Sequence, residues 1–333
     1  MKVRLALLAS VFAFAAPALA DDSSAMLGAG GIVLTKSADI RMASEDLYIS
    51  PKAIKVHYTF VNDSGRDIDT IVAFPLPDVD NYELAESPIG TTIDTTPNFV
   101  GFKLRIDGKE VTPTPEERAM LNGRDVSAQV RAAGLPLNIV IGGGYDKLQK
   151  LAKPAHDALL KAGLIEGAGG DEVVHAKWTT TTKFWWKMHF PAGGTVAVDH
   201  AYQPVTGQTF FTTYALSDKA QAADYARTYC TDAPVLAAAR AGFAAMKTNT
   251  GSDGMFNQYT TDFVIVTANN WKGPIGRFHL TVDKLKPSNI VSFCWPGDVQ
   301  KTGATRFEST LTNFAPKADI RLLVLERPTA EQN

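Results

Sequence analysis

The stretch KVHYTFVNDSGRDIDTIVAFPLPD, residues 55–78, decides how the rest of the chain is read. Ile54, Val56, Tyr58 and Phe60 alternate with Lys55, His57 and Thr59, the period of two that marks a half-buried strand. Asn62-Asp63-Ser64-Gly65 supplies a turn, since glycine tolerates positive φ and Asn and Asp side chains bond nearby backbone. A return strand over residues 68–74 stops at Pro75 and Pro77, which cannot donate to a ladder. The expectation is a β-hairpin in an antiparallel sheet. No reactive group stands out in it.

Upstream, residues 30–50 hold three alternating pairs, Ile32 with Leu34, Ile40 with Met42, and Leu47 with Ile49, which extend the hairpin into a meander. Downstream, residues 99–111 read as strand, with Asp107-Gly108 as a two-residue hairpin turn. Thr114-Pro115-Glu116-Glu117 then fits a capping box and predicts a helix to about residue 133, ended by Gly134 and Pro136. A second helical pattern covers 147–162 and is interrupted at Pro154. Residues 114–172 therefore read as a helical insertion, with Gly142-Gly143-Gly144 and Gly167-Ala168-Gly169-Gly170 as its flexible joints.

Strands resume at 178–190 and 195–202. A loop centred on Gly193 sets Phe190 opposite Val196 and Lys187 opposite Asp199, a register that satisfies both faces. Trp186 and His200 fall on the apolar face. Trp185, Lys187 and His189 fall on the other. Residues 217–229 and 232–247 are Ala-rich and helical, 249–254 is linker-like, and five further strands are expected between 259 and 326. The fold class is mainly β: two antiparallel sandwich-like domains, 21–212 with its insertion at 114–172 and 249–333, joined by a helical connector at 213–248.

Lys2 and Arg4, the apolar run 5–16 and Ala18-Leu19-Ala20 have the form of a secretory signal peptide, residues 1–20. Its removal takes two of the 33 cations and none of the 35 acids, so the balance is mildly acidic and nothing favours nucleic acid. No later run reaches the roughly 20 apolar residues of a membrane-spanning helix. The expected location is a bacterial periplasm. There, the two cysteines, Cys230 and Cys294, are most simply one disulfide.

Catalytic and cofactor motifs are not found. The six histidines show no HxH or HExxH spacing, so no metal site and no cofactor are expected. Asp78, Asp80, Glu83 and Glu86 lack the glycine and closing glutamate of a calcium loop and read as solvated. Neither glycine cluster continues into a phosphate loop, and no GxSxG or SxxK is present. Carboxylates brought together only in space would escape such a search.

HYTFVNDSGRDIDTIVAFPLPD, with TYCTDAP at 228–234, NWKGPIGRFHLTVDK at 270–284 and SFCWPG at 292–297, resembles a family of exported Gram-negative proteins described only as a domain of unknown function. That resemblance covers the mature chain, implies that Cys230 and Cys294 belong to the family pattern, and brings no catalytic residue, cofactor or substrate. The first module, with its Phe74-Pro75-Leu76-Pro77 stop, is also similar to the β-sandwich module of inter-α-trypsin-inhibitor heavy chains, which implies an interaction module. Together these readings point to a non-catalytic binding or scaffold protein for an envelope protein or glycan. The outward face of Trp185, Lys187 and His189 is its candidate surface, unless the insertion covers Trp185. An envelope polysaccharide or cell-wall hydrolase using carboxylates, and a structural subunit of an envelope assembly, are the alternatives.

Overall fold

The computed structural model describes residues 23–28, 31–82, 97–169, 172–250 and 254–328. The signal segment, Glu83, Glu86, Gly170 and the middle of the 249–254 linker lie outside them. The chain is mainly β, and its core lies between two large sheets. One is eight-stranded and includes Ile40–Ile49, Ile54–Asn62, Thr195–Tyr202 and Ile275–Asp283. The other is seven-stranded and includes Ile68–Pro75, Thr114–Leu121 and Thr179–Phe190. Their inner faces meet through Phe60 against Phe190, Phe74 against Tyr202, and Phe102 stacked on Phe184 with ring centres 4.6 Å apart.

The strands of residues 55–78 form where expected but do not pair with each other. Ile54–Asn62 belongs to the eight-stranded sheet and Ile68–Pro75 to the seven-stranded one, so the turn is an arch from one layer to the other. The predicted hairpin of 178–190 and 195–202 is a second arch. It lies against the first, with Phe190 opposite Ile68 and Thr195 opposite Val61. Lys187 therefore faces Ile71, not Asp199. Alternation fixes which residues point inward, and it does so correctly here. It cannot distinguish two strands sharing one face from two strands facing each other.

Asn62, fully buried, locks the arches together. Its Nδ2 donates to the carbonyls of Phe190 and Pro191 at 3.1 and 3.0 Å and to that of Arg66 at 2.8 Å, while its Oδ1 accepts from Ser64 N–H. Gly193 N–H donates to Ser64 O at 3.0 Å. The positive φ expected at Gly65 occurs instead at Gly193, at 61°. The Asp107-Gly108 hairpin forms as read, with φ of 48° and 76°.

Residues 114–121 are a strand, not a helix. Thr114–Leu121 pairs along Thr179–Trp185, and the helix begins only at Ser127. The capping-box pattern is a local preference of the order of 1 kcal/mol, which the hydrogen bonds of a ladder override. The rest of the insertion wraps Trp178, whose Nε1 donates to Leu137 O at 2.7 Å, with Val130, Leu148 and Leu159 around it.

The strands after residue 254 do not make a sheet system of their own. Ile275–Asp283 pairs parallel to Ile40–Ile49, and Arg306–Phe314 extends the same sheet. Phe256–Phe263 and Ile320–Glu326 lie in a four-stranded sheet with Thr206–Phe211. One side of that sheet joins the main core through Phe263, Leu322 and Val324. The other side, with Leu323 and Leu325, carries the Ala-rich helices through Phe243 and Met246. Residues 213–248 are thus a packed layer as well as a connection. Cys230 and Cys294 form the disulfide and tie the end of helix Lys219–Tyr229 to the segment after strand Ile290–Ser292.

Candidate functional site

The outer face of the eight-stranded sheet carries a continuous row of polar side chains. In each strand the outward phase supplies one member, and pairing sets them abreast. Thr310 lies opposite His279, His279 opposite Asp46, Asp46 opposite His57, His57 opposite Asp199, Asp199 opposite Arg105, and Arg105 opposite Glu110. The row is knit by short contacts. His57 Nδ1 lies 2.7 Å from Asp199 Oδ1, Arg277 donates to Asp46 at 3.1 Å, and Arg105 donates to Glu110 at 2.9 Å. His279 Nδ1 is 2.9 Å from Thr310 Oγ1.

A cleft of about 950 Å³ is lined by every member of this row except Thr310, by Pro97, Asn98, Thr112 and Pro113, and on its inner side by Phe102, Phe184 and His200. Lys55 and Lys103 stand beside the row within it. Lys55 Nζ is 5.8 Å from the centre of the Tyr48 ring, and Tyr48 OH donates to Asp283 Oδ2 at 3.1 Å. Burial raises the Tyr48 pKa. Burial also pushes the Asp283 carboxyl upward, but hydrogen bonds led by Leu285 N–H outweigh it and hold the group below its ordinary value. A second hollow of about 560 Å³ continues past His279 toward Pro296 and Gln300.

The His57 and Asp199 side chains are 47% and 44% exposed, so their contact contributes under about 1 kcal/mol to the fold. Stability is therefore a weak reason for this arrangement. Chemically the row alternates imidazole or guanidinium nitrogens with carboxylate acceptors, which suits a ligand rich in polar groups of both kinds.

The residues expected as a surface lie on the opposite side of the molecule. Lys187 and His189 are exposed on strand Thr179–Phe190, and His189 Nδ1 is 2.8 Å from Asp69 Oδ1. They border a hollow of about 500 Å³ with Thr70 and Ile71. Trp185 points to the same outer side but is half-buried in a small cluster with Ala25, Ala73 and Ile71. The insertion covers Trp178, not Trp185.

His200 is a core residue as its phase requires, ringed by Tyr58, Phe74, Phe102 and Trp186 at 4.9–5.4 Å between ring centres. Burial lowers its pKa to about 3. His156 contacts Gly167 O at 3.0 Å, and His175 packs on Tyr82. Among the described residues no three His, Cys, Asp or Glu side chains are placed to hold a metal, and no helix is long and apolar enough to cross a membrane. Asp80 Oδ1 accepts from Tyr82 N–H in a local turn.

Sequence reasoning assigned His57 an outward phase but missed its neighbours. Asp46, Arg105 and His279 are each unremarkable in their own strand. Only the order of strands brings them into one row, and the parallel step from Asp46 to His279 spans more than 200 residues.

No curated protein matches the chain. Among solved structures, a crystal structure from Legionella pneumophila, described provisionally as a nutrient binding protein, is 14% identical. The alignment covers 93% of this chain and 72% of that one, with a TM-score of 0.45. A family profile, by contrast, matches residues 20–323, nearly the whole sequence. The chain belongs to the DUF4424 family, a domain of unknown function.

Proposed function

We propose that this protein is a non-catalytic binding protein of the bacterial cell envelope, exported to the periplasm by residues 1–20, and that its ligand lies in the cleft across the eight-stranded sheet. The observation that carries this reading is the row from His279 to Glu110, which lines a cleft of about 950 Å³. Exposed ion pairs add little to stability, so six polar residues abreast in one concavity are better explained by recognition than by folding. The face of Trp185, Lys187 and His189 is a smaller candidate for a protein partner.

The test is native mass spectrometry of protein recovered from the periplasm under non-reducing conditions. A retained non-protein mass that disappears in Arg105→Ala supports the cleft as the site. A mass retained equally by that variant places the ligand elsewhere.

One observation favours a second reading, an envelope hydrolase. Asp46 and Asp199 flank His57 on adjoining strands, two carboxylates abreast in one cleft. Turnover of cell-wall polysaccharide by the wild type, abolished in Asp199→Asn without loss of binding, would establish it. Binding without turnover would dismiss it.

A further inference from the structure

We infer that the occupant of the cleft is an extended, uncharged glycan chain lying across the strands. This inference rests on the binding-protein reading and names the class of ligand. Shape comes first. The hollows of about 950 and 560 Å³ share His279, and between them they are lined by the whole row from Glu110 to Thr310. The track crosses from Arg105 to Thr310 through Asp199, His57, Asp46 and His279, one residue per strand. Adjacent strands are about 4.8 Å apart, so five steps span about 24 Å. That step is close to the rise of one pyranose unit in an extended chain, which gives room for about five units.

Charge comes second. The carboxylates of Asp46, Asp199 and Glu110 are matched in the cleft by Lys55, Lys103 and Arg105, and Asp46 and Arg105 already hold Arg277 and Glu110, so neither a polyanion nor a polycation meets a net counter-charge. Hydroxyl groups donate and accept at once, and so match a row in which donors and acceptors alternate.

Backbone pairing comes third. The strands bearing Asp46, His57 and Asp199 are each paired on both sides, so a peptide cannot add to them as a further strand. Only side chains are offered, and they are offered at regular intervals.

The test is calorimetric titration with two uncharged series, β-1,4-linked glucose and β-1,4-linked N-acetylglucosamine, from one to six units. Affinity in at least one series is expected to rise at least tenfold from dimer to pentamer and then level. His279→Ala, at the junction of the hollows, and Arg105→Ala, at the far end, are each expected to weaken the pentamer about tenfold. Unchanged melting temperatures verify that both variants fold. Affinity independent of length overturns the inference and leaves a compact-ligand site. Binding of neither series also overturns it, and the retained mass described above decides separately whether the cleft binds something else.

Discussion

The two outer faces of the molecule carry the same small motif in different settings. On the eight-stranded sheet His57 meets Asp199 at 2.7 Å; on the seven-stranded sheet His189 meets Asp69 at 2.8 Å. Each is a cross-strand pair of an imidazole and a carboxylate. What differs is the neighbourhood. The strands of His57 and Asp199 are each flanked on both sides, so the row runs on to Asp46 and His279 in one direction and to Arg105 in the other. The pairing that flanks His189 ends at Trp185, and that beyond Asp69 begins at Ile71, so among the described residues the second row is two residues long. A polar pair on a sheet says little. A row that lines a cleft says more.

The comparison can be put under strain in steps of decreasing size. Asn62 joins the two layers and so serves both faces. Asn62→Ala leaves the buried Phe190 carbonyl and the part-buried carbonyls of Pro191 and Arg66 without their donor and is expected to cost about 3 kcal/mol in urea denaturation. A loss under about 1 kcal/mol would mean the arches are held by something else.

Next is the core between the faces. An unfolded chain protonates His200 near pH 6.5, whereas burial delays this in the fold to about 3. Acidification between those values therefore favours unfolding, by up to about 1.4 kcal/mol per pH unit, and the stability is present above the window. Comparing urea midpoints at pH 7 and pH 5 should show a drop of about 2 kcal/mol, removed in His200→Phe. An equal drop in that variant would assign the acid sensitivity to other groups.

The smallest effects bear on the faces themselves. His57→Ala should weaken capture of the retained ligand about tenfold, which corresponds to about 1.4 kcal/mol. His189→Ala should leave it unchanged, and neither should shift stability by more than about 1 kcal/mol. Equal effects on capture would erase the distinction drawn here.

Much of the fold was legible in the sequence because inward and outward phases are local. Val56, Tyr58, Phe60, Trp186 and Val198 all point where alternation puts them. Partners are not local. The Asn62 and Gly193 turns were found, yet both were read as hairpins, since a tight polar turn serves an arch equally well. The helix expected at residues 114–133 failed for a related reason, because Glu116 and Glu117 satisfy a capping pattern while their strand is claimed by a distant ladder. The candidate site was the least legible part. It consists of residues ordinary in their own strands and made unusual only by strand order, and the outward face chosen from Trp185 was the one that aromatic content advertises.

The parallel pairing of Ile275–Asp283 with Ile40–Ile49 carries a kinetic consequence. Contacts so distant along the chain close late, after the entropy of a very long loop has been overcome. A chain growing from its N-terminus can bring His57 to Asp199 once residue 202 is made, but it cannot set His279 beside Asp46 until the last quarter has arrived. The complete row is therefore a completion signal. A nascent or C-terminally shortened chain would display half a track, and full ligand capture would report that the entire polypeptide has folded.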